Sequence, residues 1–86
     1  MEQYKISTLC RKYGFSYVDV GLYYRIKSGR DEWYIKKKKH PKQKIELKHD
    51  STGWQNKTHL QGYFSSLDKV FRYIYKHDWR ELENVL

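Results

Sequence analysis

The chain has 86 residues, enough for one domain and too few for two. Its single cysteine, Cys10, excludes an internal disulfide and speaks against the small secreted scaffolds that depend on such bridges. Aromatic residues at 17% favour a thin-cored folded domain over a disordered tail despite the high charge, and a net charge of +8 attracts polyanions.

The N-terminal stretch MEQYKISTLCRKYG has no apolar run and no cleavage pattern, so no secretory leader is expected. No stretch approaches the ~20 apolar residues of a membrane span. The expected setting is the cytoplasm, of a host cell if the protein is viral, with no membrane partner.

Ile6, Leu9, Cys10 and Tyr13 recur at helical spacing, and Gly14 follows where a C-cap belongs, so residues 3–13 are predicted as a short helix. From Tyr17 the period changes to two. One strand is expected from Tyr17 to Lys27, with Val18, Val20, Leu22, Tyr24 and Ile26 on one side. Ser28-Gly29-Arg30-Asp31 reads as a turn. Glu32 to Lys38 then returns as a second strand with Trp33 and Ile35 inward. His40-Pro41-Lys42 is a loop, because proline cannot continue a central strand. Lys44 to Lys48 alternates again, with Ile45 and Leu47 inward. After a loop at 50–53, Thr58 to Phe64 forms a fourth strand with Leu60, Gly62 and Phe64 inward.

The C-terminal part reads as helical. Ser65 is placed to cap it, with Asp68 three residues on, and Leu67, Val70, Phe71 and Ile74 form its apolar stripe. A break or kink is expected at His77-Asp78, followed by a short piece with Trp79, Leu82 and Leu86 on its apolar side. The fold class that follows is α+β over residues 1–86: a small antiparallel sheet of three to four strands, a short N-terminal helix, and a C-terminal helix packed on one face.

The charge is unevenly spread. From Arg25 to Lys48 there are ten Lys/Arg against Asp31, Glu32 and Glu46, a surplus of +7 that leaves only +1 elsewhere. The strand periods send Tyr23, Arg25, Lys27, Tyr34, Lys36, Lys38, Lys44, Lys48, Gln61 and Tyr63 to the face opposite the core, with Arg30 in the adjoining turn. Cations neutralise phosphates, tyrosine rings stack on unpaired bases, and Gln, Arg and Lys reach base edges in a groove. These eleven residues are the expected nucleic-acid surface. The same pattern also describes a solvated sheet with cross-strand Tyr–Lys packing.

Leu60-Gln61-Gly62-Tyr63-Phe64, preceded by basic strands and followed by a capped helix, resembles AP2-type domains and the arm-binding domains of tyrosine recombinases. Gly62, Phe64 and Ser66 match the Gly-x-Phe, polar-cap spacing of those families. The resemblance implies a helix on a three-stranded sheet that enters the major groove of DNA. The chain departs from it at Val70 and Phe71, where those families favour alanine. It is also similar in general appearance to small accessory proteins of phages and mobile elements. The order helix, sheet, helix resembles a double-stranded-RNA-binding domain too, but the Lys-Lys pair of that family is absent from Ser65-Ser66-Leu67-Asp68-Lys69.

No HExxH, CxxC, Walker loop or GxSxG is present. The histidines His40, His49, His59 and His77 are scattered, so no catalytic residue, metal site or cofactor is expected. An adaptor or inhibitor that binds a protein, such as a phage-encoded factor acting on a host nucleic-acid enzyme, is the alternative to a nucleic-acid binder. Trp54, in a predicted loop, is its candidate anchor. The chain is expected to be a monomer or a homodimer.

Overall fold

Helix α1 (Glu2–Tyr13) forms where the sequence repeats apolar residues every three to four positions. Ile6, Leu9 and Cys10 are buried along its inner side. It ends as the sequence requires: Gly14 takes φ 75°, and the Phe15 N–H donates to the Cys10 carbonyl at 2.8 Å, the outer bond of a Schellman motif. The computed structural model describes residues 2–29, 31–38, 44–50 and 59–85, with side chains between Gln3 and Asp78. Arg30, the loops around Pro41 and Trp54, and the side chains of Trp79, Leu82 and Leu86 lie outside the described residues.

Five strands follow, each antiparallel to its neighbour: β1 (Ser16–Asp19), β2 (Tyr23–Lys27), β3 (Glu32–Lys36), β4 (Ile45–Asp50) and β5 (His59–Phe64), in the spatial order β1-β2-β3-β4-β5. Helix α2 (Leu67–Val85) closes the chain. Ile6, Leu9 and Cys10 of α1 and Leu67, Val70, Phe71 and Ile74 of α2 share one core with Tyr24, Ile26, Trp33, Ile35, Ile45 and Leu47 of the sheet. Tyr13, Phe15 and Phe71 lie in near-parallel contact at 5.8–6.2 Å between centroids, and so join the end of α1 to α2. The α+β class is therefore as the sequence predicts, with five strands rather than three to four. Among the described residues no helix is long and apolar enough to cross a membrane.

The extra strand arises where a single strand was expected from Tyr17 to Lys27. The chain reverses at Gly21-Leu22. The Val20 N–H donates to the Tyr23 carbonyl at 3.0 Å, and the Gly21 N–H donates to Asp19 Oδ1 at 3.1 Å. Gly21 has φ 91°, the sign that hairpin turns of the primed types require at their first central position. The reversal changes the phase of everything before it. Tyr17 now pairs with Ile26 and turns toward the core, while Val18 pairs with Arg25 and turns away. Val18, Val20 and Leu22, expected inside, are exposed, Val18 by 50% and Leu22 by 75%.

A bulge shifts β5 in the same way. Leu47 pairs with Gly62, but Lys48 pairs with Leu60, so Gln61 is the extra residue and Leu60 moves outward, 51% exposed. The cap of α2 is Ser66 rather than Ser65: Ser66 Oγ accepts from the Lys69 N–H at 3.3 Å. The predicted break at His77-Asp78 is absent, and α2 runs unbroken to Val85. Asp78 instead uses its Oδ2 to accept the Gly29 N–H at 3.1 Å, a contact between α2 and the β2–β3 turn.

Two predictions test this packing. Phe71 is fully buried between α1 and the sheet, so Phe71→Ala should cost about 3–5 kcal/mol in urea unfolding; a loss below about 1 kcal/mol would contradict the placement. Burial of Cys10 pushes its thiol up from 9.0 to about 11. Native protein should therefore react slowly with a disulfide reagent at pH 8 and quickly in urea. Because the folded pKa is the higher one, stability should fall as pH rises from 9 toward 11, where only the unfolded chain ionises this thiol.

Candidate nucleic-acid interface

Both helices bury their apolar stripes on one side of the sheet, so alternation along the strands sends the remaining side chains to the other. The register carries one row of pairs across the whole sheet: Val18, Arg25, Tyr34, Lys48 and Leu60. A second row holds Tyr23 opposite Lys36 and Glu46 opposite Tyr63. A third holds Ser16, Lys27, Glu32 and Asp50. Tyr23, Arg25, Lys27, Tyr34, Lys36, Lys48 and Tyr63 thus share the outer face, as the strand periods predict.

The aromatic part of this face is partly self-packed. Tyr23 and Tyr34 meet edge to face at 6.2 Å, and Lys48 Nζ lies 5.7 Å from the Tyr23 ring centroid. Each ring keeps only part of its surface open. Tyr63, on the edge strand β5, is the most exposed of the three at 46%.

Gln61 does not belong to the face. Displaced by the bulge, it turns toward α2, where its Oε1 accepts the Tyr73 hydroxyl at 2.8 Å. It was the only side-chain amide in the predicted set, so its loss removes the candidate for reading adenine edges. Lys38 is exposed but lies beyond the end of β3, which stops at Lys36. Lys44 is exposed just before β4. Arg30, like Trp54, lies outside the described residues.

The charge distribution differs from the sequence expectation. On the strands, Arg25, Lys27, Lys36 and Lys48 share the outer face with Glu32, Glu46 and Asp50, which nearly cancels the surplus there. The carboxylates are not evenly placed. Glu32 and Asp50 sit in the row nearest the β2–β3 turn, whereas Lys36, Lys37, Lys38 and Lys44 gather at the opposite end, where β3 leads into β4, and outnumber Glu46 and Asp19 there. The positive pole is therefore one end of the sheet and its adjoining rows, not the whole face.

Lys37 is engaged at that end. Its Nζ donates to Asp19 Oδ1 and lies 4.8 Å from the Tyr24 ring centroid, and its N–H donates to the Leu22 carbonyl at 3.0 Å. The Lys37 ammonium and then the Gly21 N–H hold the Asp19 carboxyl below its ordinary value.

On the inner face the structure assembles a group that spacing along the chain gave no sign of. His49 of β4, His77 of α2 and Asp31 of the β2–β3 turn converge beside Trp33. His49 and its neighbour Asp50 diverge, as strand geometry demands. The convergence comes instead from residues 18 to 46 positions apart, which only the packing of α2 across the hairpin brings together.

Since the Asp19 pKa is depressed in the folded chain, its contribution to stability is present above the ordinary carboxylate range and lost as pH falls through the lowered value. Asp19→Asn should melt below wild type at neutral pH, and the two midpoints should converge in acid; a constant gap at all pH values would contradict the pairing with Lys37. Comparison of the chain with protein-family models, with curated proteins and with solved structures finds no match.

Proposed function

We propose that the protein binds nucleic acid through the outer face of its sheet and the lysine-rich end where β3 leads into β4, and that it does so without catalysis. The observation that carries the reading is the position of Arg25, Tyr34 and Lys48 in one cross-strand row beside Tyr23, Lys36 and Tyr63, on the face that neither helix packs against. Lysine and arginine there neutralise phosphates and release counterions, while an exposed tyrosine offers a base its ring. With Gln61 turned inward, the contacts are to phosphates and base faces more than to base edges. Insertion of the sheet into a major groove, which the resemblance to AP2-type and arm-binding domains implies, is the duplex form of the same proposal.

One observation favours the alternative of a protein-binding adaptor. Val18, Val20 and Leu22 are exposed together along the edge strand and its turn. Solvated apolar groups at a sheet edge suit a protein partner better than a phosphate backbone.

Fluorescence anisotropy with labelled single- and double-stranded DNA and RNA across a salt series tests the proposal. If four to six of Arg25, Lys27, Lys36, Lys38, Lys44 and Lys48 meet phosphates, the duplex log–log slope should be about −3.5 to −5.5. Arg25→Ala and Lys48→Ala should each flatten it by about 0.9. Tyr63→Ala should weaken single-strand binding by about 1–3 kcal/mol and leave duplex binding nearly unchanged. Absence of binding at low salt overturns the proposal. A nuclease-treated pull-down that then returns one protein, and loses it on Leu22→Asp, supports the adaptor.

A further inference from the structure

The polar cluster on the inner face plays no part in the proposed nucleic-acid surface and sits on the opposite side of the sheet. Three elements build it. β4 sets His49 opposite Trp33 in the register, with the two rings stacked at 4.1 Å between centroids. α2 brings the His77 ring edge-on to Trp33 at 5.0 Å and within 4.8 Å of the His49 ring. The β2–β3 turn places the Asp31 carboxylate beside both imidazoles. Asp31 Oδ2 is 2.9 Å from His49 Nε2 and 3.8 Å from His77 Nδ1, and no two of the three ligand atoms are more than 4.8 Å apart.

The hydrogen bonding of this cluster is incomplete. His49 and Asp31 are each only 9% exposed. His49 Nε2, His77 Nδ1 and Asp78 Oδ1 are nevertheless buried without a hydrogen-bond partner. The 2.9 Å approach of His49 Nε2 to Asp31 has the length of a bond but not its alignment, and an ion pair there would still leave His77 and Asp78 unmatched. Buried polar atoms are nearly always partnered, and two orphaned imidazole nitrogens beside one carboxylate indicate something that completes them. A water can bond such atoms singly, but two imidazole nitrogens and a carboxylate converging from three elements form the ligand set that a borderline divalent cation takes.

The spacing fits such an ion. Zinc–nitrogen and zinc–oxygen bonds of about 2.0–2.1 Å place the ligand atoms of a tetrahedron about 3.3 Å apart, and the observed separations bracket that value. Rotation of the His77 ring, on a half-buried position of α2, can close the longest of them. Asp78 stands outside this group of three: its Oδ1 is 3.9 Å from His77 Nδ1, and its Oδ2 accepts the Gly29 N–H.

We infer that Asp31, His49 and His77 form a binding site for one divalent transition-metal ion, zinc by preference, which clamps the β2–β3 turn and β4 to the middle of α2. Ligands from three elements make the ion a cross-link of the tertiary structure, so binding and stability are coupled.

The test uses the full chain, stripped with a chelator and titrated with Zn²⁺ and with Co²⁺. One equivalent should bind. The Co²⁺ form should show the intense visible absorption of a tetrahedral centre, and saturating Zn²⁺ should raise the melting midpoint until chelator reverses it. Loss of groups that merely orient a ligand already weakens metal sites about 10–100-fold, so His77→Gln and Asp31→Asn should each weaken binding by at least that factor. His77→Gln keeps a helix-compatible residue at a half-buried site, and gives an answer even if Asp31→Asn does not fold. His59→Gln, at an exposed position, should leave binding unchanged. No Zn²⁺ binding at micromolar metal, binding unaffected by both cluster variants, or binding abolished by His59→Gln would each overturn the inference.

Discussion

The burial of Trp33 is the constraint on which the rest of the arrangement depends. It lies on β3, the central strand, and is fully buried. An indole this large cannot be covered by the sheet alone. Its ring stacks on His49 from the neighbouring strand, and Tyr73 and His77 of α2 meet it edge-on at 6.1 and 5.0 Å. Its one polar atom also needs a partner, and Nε1 donates to Ser28 Oγ at 3.1 Å. Ser28 in turn closes the β2–β3 turn through its N–H to the Asp31 carbonyl. One side chain therefore sets where α2 crosses, how the turn is held, and which polar residues gather beneath the helix.

Covering Trp33 from one side has a consequence for the other. Two helices are enough to cover one face of a five-stranded sheet in a chain of this length, and both are used there. The outer face is left to long side chains that bury their stems against neighbouring strands and keep their charges in water. Cross-strand contacts such as Lys48 over Tyr23 stabilise the sheet in themselves. On the function proposed above, the same lysines and tyrosines would also meet the nucleic acid, so stability and binding would draw on one set of residues, while the inner face keeps a separate polar cluster beside α2.

Helix α1, the first part of α2 and the core of β2, β3 and β4 were legible in the sequence, because each has a clean apolar period and one buried side, whereas the continuation of α2 through His77-Asp78 was not. The inward set Tyr24, Ile26, Trp33, Ile35, Ile45 and Leu47 is the set that alternation selects. β1 was not legible as a separate strand. Val18, Val20, Leu22, Tyr24 and Ile26 keep one alternation through Gly21, so period alone cannot show that the chain turns there. Asp19-Val20-Gly21 was the available signal, since an aspartate side chain caps the glycine N–H and the glycine supplies a positive φ. Leu60 and Gln61 exchanged sides for a similar reason: a bulge opposite Leu47 and Lys48 has no mark in the sequence of β5 beyond Gly62.

What the sequence determined by itself was local and periodic: the α+β class, the ends of α1, the inward faces of the central strands, and the tyrosines and cations that alternate with them. These follow from i, i+2 and i, i+4 geometry, which acts within a few residues. Only the tertiary structure decided that the positive charge collects at one end of the sheet, that Gln61 faces Tyr73, and that Asp31, His49 and His77 meet. Each of those depends on a reversal, a bulge or a helix crossing that brings together residues far apart in the chain. His49, His77 and Tyr73 in particular come together around the buried Trp33, and no short window of sequence contains that burial.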